Sequence, residues 1–396
     1  SFAILFFGTT LSPFTNIFWK IGDFLGERWL FSPTLGFAIA AAYLITQAFK
    51  YAKDDNLTTF LNRNTIPVAI LGVVLIAYGI KIMERNPAWE TSLILMKTDV
   101  KTSPDNYLIN SILATEMLNS AGNDANKVKA SLPYFEKSVK LTPKAPRLWH
   151  NYGMALFRLN DHKNALKCYE TAVSLEPTNE QQRFWLGMAR YKTSDIKGAL
   201  EILEPLGKTP RYAQNAGYHN EMGSIYFQMK NYVEAAKSYE IAYQRLKPQG
   251  VTRQLVDIVH NLGATYLYLG NFAKSEAYFQ QNTINVPQDF RGFNGLGINK
   301  MNQKQYPQAI EHFQKVLQMN PKMVGAYQNI GICFQQLKQF KQAAEQYEKG
   351  LKLAPNNIIF YNNMYNCYLA LKNNAKMQET LQKRQVILDQ QKAKGK

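Results

Sequence analysis

Glycines return through most of this chain at a fixed stride. Gly153 to Gly187, Gly263 to Gly297 and Gly297 to Gly331 are each 34 residues apart, and the intervening steps are 36 and 40. Val324–Asn357 shows the company each one keeps. Tyr327, Ile330, Gly331 and Phe334 fall on one helical face, and Ala343, Tyr347 and Gly350 fall on the face of a second helix. Pro355 ends that second helix, because it has no donor for the next backbone bond and clashes with the carbonyl four residues back. A helix pair this short cannot bury its own apolar face, so it must stack on copies of itself.

The copies are present. Residues 146–177 carry Trp149, Tyr152, Gly153, Leu156, Ala165, Tyr169, Ala172 and Pro177, and 216–248, 256–287 and 290–321 repeat that order. Less regular copies occupy 105–143, with an insert around Asn119–Lys127, then 180–211 and 358–390. A helix–turn–helix of this length and order resembles the tetratricopeptide repeat, over residues 105–390 and about eight units. The resemblance implies an all-α fold, an α-solenoid of helix pairs whose first helices build a concave surface. Residues 84–104, with helical apolar spacing from Trp89 to Val100, are expected to form a linking helix, and 391–396 a polar tail.

Residues 1–83 read differently. SFAILFFG has no charged start, so it does not read as a signal peptide. Its eight apolar residues are too few to span a bilayer and are expected to be the tail of a transmembrane helix in a longer membrane protein. Residues 29–49 are uncharged and apolar, and 66–83 form a second apolar run broken only by Lys81, so both are expected to be membrane spans. Loop charges do not decide the topology: Lys50, Lys53 and Arg63 are diluted by Asp54 and Asp55 and opposed by Lys81 and Arg85.

Of the net charge of +17, residues 1–100 carry +1 and the remainder +16. The basic residues are scattered through the repeats, with no basic block and no RNA-binding aromatic signature, which argues against a nucleic-acid partner. Cys168, Cys333 and Cys367 sit beside core positions as small hydrophobes, without metal or redox spacing. His150, His162, His219, His260 and His312 lie in separate repeats, none with a metal-pair pattern. No Walker loop, nucleophile elbow or dinucleotide fingerprint occurs, so the repeats are expected to bind, not to catalyse.

Two constellations remain. Two residues before the template glycine stand Asn151, Asn261 and Asn329, with Asn363 at the equivalent place, while Glu221 and Gly295 interrupt the series. A ladder of amides on the inner face can bond the backbone of an extended peptide without reading its side chains, and it resembles the inner surface of the solenoid in O-GlcNAc transferase. An Asn favoured there for packing alone would give the same series. His150 and His260 adjoin it and are placed with the peptide-binding face. At the membrane end, Asp23, Glu27 and Arg28 abut an apolar run, where such charges must face water, each other or a ligand. They make either a helix-end ion pair or a contact for a lipid phosphate, with Arg28 giving bidentate charge.

The order of Ser12-Pro13, Asn16, Glu27-Arg28, Leu30, Pro33, Gly36-Phe37, a further span, Trp89 and then the repeats resembles the C-terminal end of a family. These are the transmembrane and tetratricopeptide-repeat O-mannosyltransferases of the GT-C class and their bacterial relatives. The resemblance implies a polyprenyl-phosphate sugar donor and a catalytic acid upstream of residue 1. It also implies an integral membrane protein with its repeats outside the cytoplasm, in the periplasm or the lumen of the endoplasmic reticulum. The partners expected are a protein or extended peptide and membrane lipid. Two functions fit: the acceptor-binding end of a sugar transferase, or a membrane-tethered scaffold that holds a partner in an envelope complex.

Overall fold

The computed structural model describes Thr58, Thr59, Asn62, Thr65, Ile66, Ala69, Val73, Ile76, Ile80 and residues 90–394. The span expected near 29–49 and the cluster Asp23, Glu27 and Arg28 lie outside the described residues, as does most of 66–83. The described members of that second run, Ile66, Ala69, Val73, Ile76 and Ile80, are helical and exposed. Among the described residues no helix is long and apolar enough to cross a membrane.

From Ser92 to Lys394 the described chain is all α: seventeen helices, with one short 3-10 turn at Lys247–Gln249. It divides into two compact units, the first ending at Ile202 and the second running Leu203–Lys396. The boundary falls inside one helix, Ile196–Leu206.

The first unit opens with α1 (Ser92–Thr102), inside the stretch expected to link, where the Thr91 hydroxyl caps the helix by accepting from the Ile94 N–H at 3.2 Å. Met96 packs against Ile109 and Leu113 of α2 (Tyr107–Ser120). There follow α3 (Ala125–Leu141), α4 (Pro146–Arg158), α5 (His162–Leu175), α6 (Glu180–Lys192) and the start of α7 (Ile196–Leu206). The pairs α2/α3 and α4/α5 close on rings, with Phe135 and Tyr169 fully buried. Gly153 makes the second closure possible, because a Cβ there would lie 3.0 Å from the Tyr169 ring. At Gly153, Gly223, Gly263, Gly297 and Gly331 the stride therefore records a first helix pressed onto an aromatic of its own second helix, whereas α7, which follows the helix of Gly187, has no aromatic.

The second unit begins where α7 ends early. Pro205 sits in its last turn, and the Gly207 N–H bonds the Glu204 carbonyl at 3.2 Å. The Leu203 carbonyl is taken instead by the Tyr218 hydroxyl, which donates to it at 2.8 Å. Four pairs follow: α8 (Ala216–Gln228) with α9 (Tyr232–Leu246), α10 (Arg253–Tyr268) with α11 (Phe272–Asn285), α12 (Phe290–Asn302) with α13 (Tyr306–Met319), and α14 (Val324–Gln336) with α15 (Phe340–Leu353). A fifth, α16 (Ile358–Ala370) with α17 (Asn374–Lys394), closes the unit. Phe279, Phe313, Tyr347 and Phe360 fill the gaps between helices.

A device not read from the sequence joins neighbouring pairs here. Tyr226, Tyr266 and Tyr368 hold the same place on α8, α10 and α16, and each donates its hydroxyl to a glutamate of the preceding second helix: Glu204 at 2.8 Å, Glu240, and Glu348 at 2.7 Å. Lys274 and Lys376 lie over the last two rings, 4.5 and 5.2 Å from the centroids. Burial and the carboxylate beside it raise the Tyr266 hydroxyl above the ordinary phenol range.

Candidate peptide-binding surface

The sequence placed its binding residues on first helices. In the second unit these lie side by side, α10 on α12 and α12 on α14. The unit has twice as many Lys and Arg as Asp and Glu, yet α14 and α16 hold no charged residue at all. They offer amides and aromatics instead, so the basic character of the chain is excluded from this part of the surface.

The four asparagines do not share one state. In the first unit the Asn151 amide donates to Thr115 Oγ1 of α2 at 3.4 Å, which ties it to the neighbouring pair. In the second unit the Asn363 side chain lies against the Tyr347 hydroxyl, and the Asn363 carbonyl accepts from Gln335 Nε2 at 3.3 Å. Asn363 thus serves packing. Asn261 and Asn329 are half-buried, and their amides have no hydrogen bond within the chain. These two are available to a ligand.

The histidines differ likewise. His150 is buried at 6% exposure, with both ring nitrogens unpartnered and the ring 5.7 Å from that of Tyr169. Burial, and then Arg147, push its pKa down to about 4, so it is a neutral packing residue at pH 7. His260 is half-buried against Phe279 at 5.6 Å. Burial and Arg291 lower its pKa, while Asp289 and Asp257 oppose them. Arg291 is itself held by both acids, donating at 2.8 Å to Asp257 and 2.7 Å to Asp289. That ion-paired cluster stands beside Asn261, so the charged group nearest the free amides is already satisfied within the protein.

The stride hid a second row. One residue before the asparagine place stand Asn294 and Gln328, half-buried and without a hydrogen bond in the chain, and Asn362, which accepts from Arg384 at 3.0 Å. The signal was legible in the same alignment, one position along. In the first unit the corresponding places of α6 hold Phe184 and Trp185, and Trp185 packs edge-on to Phe157 at 5.4 Å.

Two open clefts lie elsewhere in the second unit, about 570 and 460 Å³. They are lined by the Tyr226–Glu204 and Tyr368–Glu348 pairs, whose polar atoms already satisfy one another. Burial pushes the thiols of Cys168, Cys333 and Cys367 up to about 12, 11 and 11, so all three are inert at neutral pH. Among the described residues no three His, Cys, Asp or Glu come together as a metal site.

Comparison with known proteins agrees with this architecture. Residues 146–179, 214–281 and 300–364 match models of the tetratricopeptide repeat, so the chain carries these repeats, a fold suited to protein or peptide partners. The chain is 24% identical over 152 residues to human protein O-mannosyl-transferase TMTC1, a stretch covering 38% of this chain and 16% of that protein. It is 24% identical over 132 residues to Drosophila melanogaster protein O-mannosyl-transferase Tmtc3, covering 33% and 13%. The match thus spans less than a fifth of either relative. Among solved structures, the C-terminal part of a TPR repeat-containing protein from Cytophaga hutchinsonii is 14% identical, with a TM-score of 0.49, covering 63% of this chain and 99% of its own. The MamA protein is 18% identical with a TM-score of 0.39, covering 45% and 94%.

Proposed function

We propose that this chain is the acceptor-binding end of a membrane-anchored glycosyltransferase that uses a polyprenyl-phosphate sugar. Its repeats hold an extended polypeptide along the first helices of the second unit. The observation that carries the reading is the pair of free, half-buried amides at Asn261 and Asn329, the first beside charges already paired with one another and the second on an uncharged helix. An amide can both donate to and accept from a peptide backbone, which gives grip without dependence on side-chain sequence. Likeness to two O-mannosyl-transferases supports the sugar-transfer context. The apolar runs at 29–49 and 66–83 support the anchor, and Asp23, Glu27 and Arg28 are the groups suited to meet a lipid phosphate.

The test is capture of unstructured polypeptides by the full chain, compared with Asn261→Ala/Asn329→Ala. Loss of one backbone hydrogen bond at each site predicts affinity weakened about tenfold, whereas Asn151→Ala, on a residue already bonded within the protein, leaves binding unchanged. Equal binding by all three proteins would sink the reading in favour of a scaffold that docks a folded partner elsewhere.

A further inference from the structure

The turn inside each helix pair places one residue in the left-handed region. In the second unit these residues are Lys230, Gly270, Lys304, Lys338 and Lys372, with φ of 61, 72, 61, 59 and 53°. Glycine adopts that conformation freely and asparagine with modest cost, while a long side chain is disfavoured there by roughly 1 kcal/mol. The first unit uses Asn160 and Ser194 at the same place. All four lysines are exposed and none forms an ion pair.

The residues around them point the same way. The five turns, at 228–233, 268–273, 302–307, 336–341 and 370–375, hold five lysines and not one aspartate or glutamate. Of the five second helices only α9 has an acid in its first turn, Glu234; the starts of α11, α13, α15 and α17 lack one, although a carboxylate there would both cap and meet the helix dipole. The first unit has Asp124, Asp161 and Asp195 at these starts. The second has Asn231, Asn271 and Asn373, and also Gln305 and Gln339, which make no side-chain cap. Between the lysines stand exposed apolar side chains: Met229 (45%), Val233 (52%), Tyr268 (62%), Leu269 (38%) and Leu371 (43%). The connections at the other ends of the helices are mixed, holding Lys247, Asp289 and Lys322.

We propose that this edge of the second unit lies on an anionic bilayer surface, its lysines on the phosphates and its apolar side chains in the headgroup layer. Alternating lysine with Tyr, Leu and Met is the composition that a charged lipid interface takes up. The inference needs a charged bilayer beside the second unit, and it stands whether or not residues 1–83 provide the anchor.

The experiment places the full chain with nanodiscs of phosphatidylcholine alone or with phosphatidylglycerol added, and reads amine labelling of each lysine by mass spectrometry. Lys230, Lys304, Lys338 and Lys372 are expected to label several-fold more slowly with the anionic discs and to recover at high salt, while Lys322 and Lys352 label equally with both. The variant K230N/K304N/K338N/K372N removes the charge and favours the turn, so it folds. It should lose salt-sensitive hydrogen-exchange protection at the five turns, with about fivefold weaker association per lysine removed. Equal labelling with both discs overturns the proposal, as does protection that appears only when polyglutamate is added. Failure to co-elute with the phosphatidylcholine discs counts against the anchor alone.

Discussion

The two units are built from one repeat and finish it with different chemistry. In the first, the turn between helices carries an aspartate that caps the second helix, and α6 presents Phe184 and Trp185 where α4 has His150 and Asn151. In the second, neutral caps and lysines occupy the turns, and the amides of Asn261 and Asn329 are left unbonded where Asn151 of the first unit is bonded to Thr115. The framework of glycine against ring is common to both. Packing positions are therefore shared because the helix pair dictates them, and the surface positions diverge because nothing in the fold fixes them.

The comparison extends to how buried polar groups are treated, and three expectations sharpen it. The largest effect belongs to His150. Its folded pKa of about 4 lies below the unfolded value of about 6.5, so the unfolded chain binds the extra proton first. The stability that neutral His150 contributes is fully present above pH about 6.5 and is lost as the pH falls towards 4, by about 3 kcal/mol. Urea titrations across that range, followed by Trp149 and Trp185 fluorescence, should show the first unit weakening, and His150→Phe should remove most of the slope. A slope unchanged in that variant would assign the effect to another group.

Next is the closeness of the helix pairs. A Cβ at Gly297 would lie 2.6 Å from Phe313, against 3.0 Å for Gly153 and Tyr169. Gly297→Ala should cost about 2 kcal/mol through overpacking. Gly153→Ala should be near neutral, because a small ring shift is offset by roughly 1 kcal/mol of helix propensity. Thermal melts that rank the two in the opposite order would refute a common closure.

The smallest contrast is between two hydroxyls at one repeat position. Tyr347 donates to Gln335 Oε1 at 2.7 Å, whereas the Tyr169 hydroxyl is buried without a partner. Tyr347→Phe should cost about 1 kcal/mol, and Tyr169→Phe should stabilise by a similar amount. Equal changes in the two melting curves would show that both hydroxyls are satisfied.

The helix pairs were legible because their signals are local and periodic: Gly153, Tyr169 and Pro177 recur in register, and the pattern forces stacking. The placing of the asparagine series on first helices was legible for the same reason. Which members are free was not, because Asn151 is engaged by Thr115, 36 residues away, and Asn363 by Tyr347, 16 away. The Tyr–Glu pairs join residues 20 to 26 apart, as in Tyr368–Glu348 and Tyr266–Glu240, and read in sequence as ordinary surface polarity. The lysine edge was hidden more thoroughly. Lysine is no turn signal, and only the backbone angle reveals that four of them share one strained place.

By itself, then, the sequence determined an all-α array of stacked helix pairs and which residues of each pair turn inward, since periodic burial leaves no other way to cover the apolar faces. The tertiary structure decided the division at Ile202 and Leu203, the contacts that engage Asn151 and Asn363 while leaving Asn261 and Asn329 open, and the left-handed turn place that four lysines share. Those facts depend on contacts between repeats and on backbone angles, which no single repeat contains.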